Sequence, residues 1–190
     1  MGFPSSAADL KRAQEHLQTL SPPAFAPPRR VLRIAGVFVC FERGGTGPGA
    51  AGDVGWATSA VLEAGRCIEA ATVRGRAGGP YQAGLLALRE GPLVGTAGGQ
   101  LEEPFDVLLV NATGRDHPRR AGLALHLGVL LDVPTVGVTH RPLLARGVWP
   151  TEPGRGSRAP LSIEGDLVGC WVRTRDGCRP LAVHAGWRTD

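Results

Sequence analysis

The chain has 190 residues, 43% of them apolar and 20% charged, which is ordinary for one globular domain with a buried core. No run of about 18 apolar residues is present and the N-terminus lacks a signal-peptide pattern, so we expect no membrane segment and a cytoplasmic location. The formal net charge is +4, and Lys11 is the only lysine among the 21 basic residues. Arginine binds phosphate bidentately, which favours a nucleic-acid partner, although a general compositional bias would produce the same excess.

The four cysteines form no C-x-x-C pair and have no histidine at zinc-binding spacing. We therefore expect free thiols rather than a zinc site or disulfides.

The first half of the chain is predicted to form one amphipathic helix and three strands, at residues 7–20, 30–41, 54–62 and 67–73. A proline-rich segment, residues 21–28, predicts an extended linker after the helix. A tight turn at residues 63–66 joins the second and third strands, so the three strands should form an antiparallel meander. A helix over residues 85–89 follows.

The second half begins with a strand, a helix and a second strand, at residues 106–110, 119–131 and 135–138. This order is a βαβ unit, whose strands lie parallel with a right-handed crossover. Three short strands are predicted next, at residues 159–163, 166–173 and 181–184. Three antiparallel strands followed by a βαβ extension is the order of an RNase H-like α/β fold. We expect residues 1–190 to form one such domain, with residues 1–28 as its N-terminal helix and linker.

Sites in open α/β sheets form outside the carboxyl ends of the strands. Asn111 and His140 directly follow the two strands of the βαβ unit, and His117, Arg119 and Arg120 lie between them. We therefore predict the functional site at this edge. Arg119 and Arg120 are expected at a helix N-terminus, where anions are favoured, and so to contact phosphate; a solvated basic turn is the alternative.

Several sequence blocks in a fixed order resemble those of the endonuclease V family, nucleases that nick nucleic acid beside deaminated bases. RIAGVFVCF, residues 33–41, is similar to the family's first-strand block but has Phe38 where aspartate is usual. PYQAGLLALRE, residues 80–90, resembles a block that continues into Leu-Leu and ends in Arg-Glu, and it keeps Pro80, Tyr81, Gly84 and Glu90.

Two further blocks carry the same resemblance. In the block at residues 106–138, Asn111 stands for the usual aspartate, while His117, Pro118 and Arg119 match. Afterwards His140 replaces a lysine, and LAVHAGWR, residues 181–188, has a tryptophan where the family's late block has histidine.

In that family the positions of Phe38, Glu90 and Asn111 hold Mg²⁺, an ion that requires hard oxygen ligands. Phenylalanine cannot ligate a metal and asparagine offers only a neutral carbonyl, so Glu90 and Asn111 are the remaining candidate ligands. We expect Mg²⁺ binding and family-type hydrolysis to be lost or greatly weakened. If activity survives, the resemblance implies that His117 assists the water or the leaving group and that His140 stands in for the lysine.

The sequence also gives expectations for Tyr81, Asp116 and Phe38. The resemblance makes Tyr81, flanked by Pro80 and Gly84, a strand-separating wedge that stacks on a base, although a surface tyrosine is nearly as well supported. Asp116 is the only other acid expected to reach the metal position. Phe38 is expected to fill the hole beside Asn111.

Three functions remain open from the sequence. The first is Mg²⁺-dependent phosphodiester hydrolysis on the 3′ side of a deaminated base such as hypoxanthine, in DNA or RNA, at a weakened level. The second is a module that binds such nucleic acid without cutting it, and the third is a scaffold for protein contacts. A continuous basic groove past Glu90 and His117 would favour binding.

Overall fold

A single eight-stranded sheet organises the described part of the chain, residues 2–42 and 47–189 of a computed structural model. The strands are β1 (Arg33–Phe41), β2 (Val54–Glu63), β3 (Arg66–Arg76), β4 (Val107–Val110), β5 (Thr135–Thr139), β6 (Arg158–Ile163), β7 (Asp166–Val172) and β8 (Leu181–Ala185). The helices are α1 (Ala7–Leu17), α2 (Leu86–Gly99) and α3 (Leu123–Leu131). No helix in this part of the chain is long and apolar enough to cross a membrane.

The strand order β3-β2-β1-β4-β5-β8-β7-β6 confirms the predicted RNase H-like α/β fold. β1, β2 and β3 form the antiparallel meander, while β4 lies parallel to both β1 and β5. The last three strands join the same sheet, because β8 pairs antiparallel with β5. The Thr139–Ala182 pairing therefore brings the start of β8 to the carboxyl end of β5.

One face of the sheet packs against α2 and α3, since alternate strand residues such as Val37 and Leu108 join the core formed with these helices. The opposite face leaves Phe38, Leu62 and Leu109 exposed. The expectation that Phe38 fills a hole is therefore wrong. Its ring is 54% exposed, because the neighbouring Val37 takes the position that faces the core.

The helix of the βαβ unit begins later than predicted, at Leu123, so Arg119 and Arg120 lie in the preceding loop rather than at its N-terminus. Arg120 has a left-handed backbone (φ 50°), which interrupts any helix through it. Gly122 then caps α3 at a close approach, because a Cβ atom there would lie 2.3 Å from the carbonyl oxygen of Thr113.

The two other helices also differ in length from the predictions. α2 continues from residue 89 to Gly99 although it contains Pro92, which cannot donate to the carbonyl of Leu88. That carbonyl instead lies against Gly78, where a Cβ atom would be only 2.4 Å away. α1 ends at Leu17, three residues before the predicted end at residue 20. The guanidinium of Arg115 donates to the carbonyls of Gln18 and Leu20, which follow the helix.

The close approach at Gly122 gives a stability prediction. We expect Gly122→Ala to lower the free energy of unfolding by about 2–3 kcal/mol, because the added methyl group collides with the Thr113 carbonyl. Gly99→Ala is the matched control, since nothing lies within 4 Å of a Cβ atom there and alanine favours a helix by about 1 kcal/mol. Urea unfolding measures both. Equal stabilities for the two variants would contradict the position of the α3 N-terminus.

Candidate nucleic-acid interface

A cleft of about 180 Å³ lies where the segment 80–84 meets the carboxyl ends of β4 and β5. We name it the central cleft. Tyr81, Asn111, Thr113, Thr139 and Arg141 contribute polar or aromatic side chains to its lining. The topology thus brings together residues from separate parts of the sequence at the predicted edge.

The segment 80–84 is anchored through one backbone carbonyl, that of Gly84. This oxygen accepts hydrogen bonds from His117 Nε2 (3.0 Å), an Arg119 guanidinium nitrogen (2.9 Å) and the Gln14 amide (3.4 Å). Gly84 has φ +77°, a conformation that favours glycine. Residues from α1 and from the loop after β4 therefore hold the wall of the central cleft that carries Tyr81.

His117 is a neutral, buried member of this anchor. Its Nδ1 accepts from the backbone N–H of Arg119 (3.1 Å), so the proton lies on Nε2, which donates to Gly84. Burial lowers the pKa of His117 to about 4, partly opposed by the hydrogen bond to Gly84. Both ring nitrogens are engaged, and the geometry gives His117 a positioning role.

The two arginines of this loop also contact protein groups. Arg119 Nε donates to the Gln14 side-chain oxygen (2.7 Å), in addition to its bond with Gly84. Arg120 reaches Asp166 (3.3 Å) and the carbonyl of Ile163 (3.4 Å) in the hairpin between β6 and β7. Neither arginine lines the central cleft, so phosphate contact by Arg119 and Arg120 remains a sequence-based prediction without structural support.

Asn111 lies exposed at the end of β4, and its amide nitrogen donates to the carbonyl of Val138 (3.2 Å). It lines the central cleft and also a groove of about 340 Å³ on the helix-free face, which Phe38 lines too. The predicted neighbourhood of Phe38 and Asn111 is therefore present, and its chemistry is an aromatic ring beside an amide.

Glu90 lies on α2, one turn beyond Leu86 and Ala87, which do line the central cleft. Glu90 itself lines neither the central cleft nor the groove at Phe38. Among the described residues its carboxylate has no hydrogen-bond or ion-pair partner, and burial raises its pKa to about 7 against the opposing charge of Arg89. At neutral pH Glu90 is therefore close to half protonated.

The expectation that Asp116 can reach the metal position is wrong. Its carboxylate is fully buried and accepts the backbone N–H groups of Leu143 (2.6 Å), Leu144 (2.8 Å) and Ala145 (2.8 Å). Moving this buried carboxylate would break three hydrogen bonds and leave the donors unpaired, which is unfavourable in free energy. Asp116 therefore fixes the segment that follows β5.

Sequence reasoning missed the partner of Asp116, which is His184 in β8. His184 Nδ1 lies 3.5 Å from the Asp116 carboxylate, and His184 Nε2 is hydrogen-bonded to Thr139 Oγ1 (2.8 Å). Thr139 Oγ1 also lies within hydrogen-bonding distance of the carbonyl of Arg141 (2.8 Å). Burial lowers the pKa of His184, opposed by Asp116. No local pattern signals this chain of contacts, because only the pairing of β5 with β8 creates it.

His140 is exposed and lines a second cleft, of about 550 Å³, formed with the hairpin between β7 and β8. We name it the hairpin cleft. Arg141 lines both clefts and so connects them. His117 lines the central cleft and His140 lines the hairpin cleft, so a shared reaction centre for the two histidines stays a prediction.

A family model described as Endonuclease V matches residues 23–190 of the chain. The chain belongs to the endonuclease V family. It is 47% identical over 124 residues to an Endonuclease V of Methanopyrus kandleri, covering 65% of this chain and 52% of that protein. A crystal structure of Endonuclease V from Streptomyces avermitilis superposes with a TM-score of 0.83 at 36% identity, over all of this chain and 81% of the other.

A more distant endonuclease V, from Ciona intestinalis, was crystallised with DNA containing an inosine followed by a ribo-adenosine. It superposes with a TM-score of 0.77 at 21% identity, over 96% of this chain and 83% of that one, which shows a shared fold.

Endonuclease V proteins are metal-dependent nucleases, but the residues present here do not fit a metal site. Within residues 2–42 and 47–189 no group of three histidine, cysteine or carboxylate side chains is placed to hold an ion. Phe38 has no donor atom and Asn111 is uncharged, so Glu90 is the one carboxylate left at the three positions. Mg²⁺ prefers carboxylate oxygens, and this edge offers one carboxylate where the resemblance implies three.

The desolvated carboxyl of Glu90 gives a pH-dependent prediction. Its pKa of about 7 in the folded protein exceeds the ordinary 4.5. The part of the unfolding free energy that depends on the protonated carboxyl is therefore fully present below pH 4.5 and is lost as the pH rises through 7. Glu90→Gln stays neutral. We expect this variant to exceed the parent in unfolding free energy by on the order of 2 kcal/mol at pH 8 and to match it near pH 4.5.

Urea unfolding across this pH range tests the prediction, with Glu15→Gln, an exposed glutamate on α1, as the control. A stability difference for Glu90→Gln that does not change with pH would refute the raised pKa of this partly buried, unpartnered carboxyl.

Proposed function

We propose that this endonuclease V-like chain binds single-stranded nucleic acid and recognises a deaminated base in the central cleft, with metal-dependent hydrolysis lost or greatly weakened. The observation that carries the proposal is a contrast at one sheet edge. The wall of the cleft is anchored by three hydrogen bonds to Gly84, while two of the three metal positions hold Phe38 and Asn111.

Base recognition by such proteins requires an unstacked base to enter a pocket and meet both polar groups and a flat ring. The central cleft offers the Asn111 amide, the Thr113 and Thr139 side chains and the Tyr81 ring, which is 48% exposed. Deamination of adenine replaces an amino donor with a carbonyl acceptor, so amide and hydroxyl groups suit the altered edge. The Ciona intestinalis relative bound to inosine-containing DNA supports this ligand class.

A second candidate is residual hydrolysis, and Glu90 is the observation that favours it. An unpartnered carboxyl group with a raised pKa lowers stability without supporting the fold, which is typical of functional sites. If hydrolysis survives, Glu90 is the side chain on which it depends, and the substrate is the same deaminated strand.

Binding and cleavage are measured together with an end-labelled strand containing one inosine, in the presence of Mg²⁺ or Mn²⁺. We expect a gel shift without cleavage, weaker for the strand with adenine at that position, and about tenfold weaker for Tyr81→Ala because a stacking platform is lost. Val31→Ala, at the distant amino end of β1, should bind like the parent. Cleavage by the parent that Glu90→Gln abolishes would establish the second candidate instead.

Restoring the missing carboxylates tests the reason for the loss. We expect Phe38→Asp combined with Asn111→Asp to take up Mg²⁺ or Mn²⁺ in isothermal titration calorimetry, because three carboxylates then stand at the family's metal positions. The parent and the single variant Asn111→Asp are the controls and should take up little or none. A double variant that folds but binds neither ion would show that more than these two side chains separates this edge from a metal site.

A further inference from the structure

The hairpin cleft is a concave surface lined by three arginines and a histidine. His140 and Arg141 follow β5, while Arg175 and Arg179 come from the hairpin between β7 and β8. The remaining lining residues are Thr174, Cys178, Pro180 and Leu181, so no acidic side chain lines the cleft.

The three arginines of this cleft have no acidic partner in the described part of the chain, and they converge on one concavity. Among the described residues, no carboxylate lies within ion-pair distance of Arg141, Arg175 or Arg179, whereas Arg30, Arg33, Arg89, Arg120 and Arg188 all have one. The neighbouring Asp176 accepts the backbone N–H of Arg155 (2.6 Å) and is not paired with them. Uncompensated like charges around a concavity attract anions.

The hairpin that carries Arg175 and Arg179 is held in place by a fourth arginine. Arg173 donates to the carbonyls of Pro150 (3.2 Å), Glu152 (3.0 Å) and Cys178. The Gly177 backbone also donates to the carbonyl of Pro153 (3.0 Å). The backbone of the hairpin is therefore held in place, so an anion that binds there does not have to order it.

An aromatic surface lies beside these charges. Trp149 is 44% exposed and contacts Trp171 edge-on at 6.2 Å, while the Arg179 guanidinium lies 5.3 Å from the Trp149 ring centroid. An exposed tryptophan next to unpaired arginines is the combination that binds single-stranded nucleic acid, with rings stacking on bases and cations on phosphates.

The hairpin cleft also continues directly from the central cleft. Arg141 lines both, and the pairing of Thr139 with Ala182 places the hairpin at the same sheet edge as Asn111. A strand that leaves the central cleft past Arg141 therefore meets Arg175 and Arg179 next.

We propose that the hairpin cleft binds the phosphodiester backbone beside the recognised base, through Arg141, Arg175 and Arg179, with Trp149 stacking on a flanking base. This inference deepens the proposed function and rests on it for the direction of the strand. It assigns the sequence-independent part of the affinity to a hairpin far from Arg119 and Arg120 in the sequence.

The test is a salt titration of binding with fluorescein-labelled single strands, one with inosine and one with adenine at the same position, each as DNA and as RNA. Arg175→Glu combined with Arg179→Glu should weaken binding about tenfold or more on every strand and lower the salt slope by about 1.4, the loss of two phosphate contacts. Arg29→Glu combined with Arg66→Glu is the control of equal charge change, because both arginines are exposed at the opposite sheet edge. It should keep the parent's slope.

The outcomes separate the two proposals. Equal slopes for the two double variants would overturn the hairpin cleft while leaving inosine recognition intact. A reduced slope together with equal affinity for inosine and adenine would support the hairpin cleft and overturn base recognition. Displacement of the strands by inorganic phosphate, at an ionic strength where chloride leaves them bound, would identify a free-anion site and overturn the proposal. If the Arg→Glu variant unfolds, Arg175→Gln with Arg179→Gln carries the same prediction with a smaller loss of affinity.

Discussion

The carbonyl oxygen of Gly84 is the point on which the geometry of this sheet edge depends. Three donors from two distant segments converge on it, Gln14 from α1 and His117 and Arg119 from the loop after β4. Breaking the hydrogen bonds to this buried carbonyl is unfavourable in free energy, because each buried donor would be left without an acceptor. The arrangement explains why residues that look catalytic or phosphate-binding in the sequence are engaged with the protein itself. Their common effect is to hold Tyr81 at the entrance of a formed cleft, and recognition of a base needs that rigidity whether or not cleavage follows.

The buried carboxylate of Asp116 is a second anchor. It fixes the segment after β5 through several hydrogen bonds, as the Gly84 carbonyl fixes the segment before α2. It accepts three consecutive backbone N–H groups and lies against His184, whose other nitrogen holds Thr139. The segment from Thr139 to Ala145 is therefore held at one end by His184 and at the other by Asp116. That stretch carries Arg141, the residue shared by the two clefts, so a buried polar network sets the relative position of the base-sized cleft and the basic hairpin cleft.

Much of the fold followed from hydrophobic periodicity, because the meander and the βαβ unit are local patterns. The helix ends did not, because Arg120 adopts a left-handed backbone and Pro92 is tolerated inside α2 only where Gly78 leaves room for a free carbonyl. The topology correctly placed Phe38 beside Asn111, yet it could not say that the Phe38 ring faces solvent. The contact between Asp116 and His184 and the cluster of Arg141 with Arg175 and Arg179 were out of reach, since both depend on β8 pairing with β5, a long-range event with no sequence signal.

In the function that we propose, electrostatics links the missing metal carboxylates to the binding of nucleic acid. Three carboxylates at a strand edge repel a phosphodiester unless divalent ions neutralise them, so a nuclease of this design needs its metal for substrate binding as well as for chemistry. Phe38 and Asn111 stand where two of those charges would be, and desolvation raises the pKa of the third carboxyl, Glu90. The unpaired arginines of the hairpin cleft then act against little opposing charge. On this proposal, the side chains that stand in place of the metal ligands also lower the repulsion that a nucleic-acid strand would meet at this edge without a divalent ion.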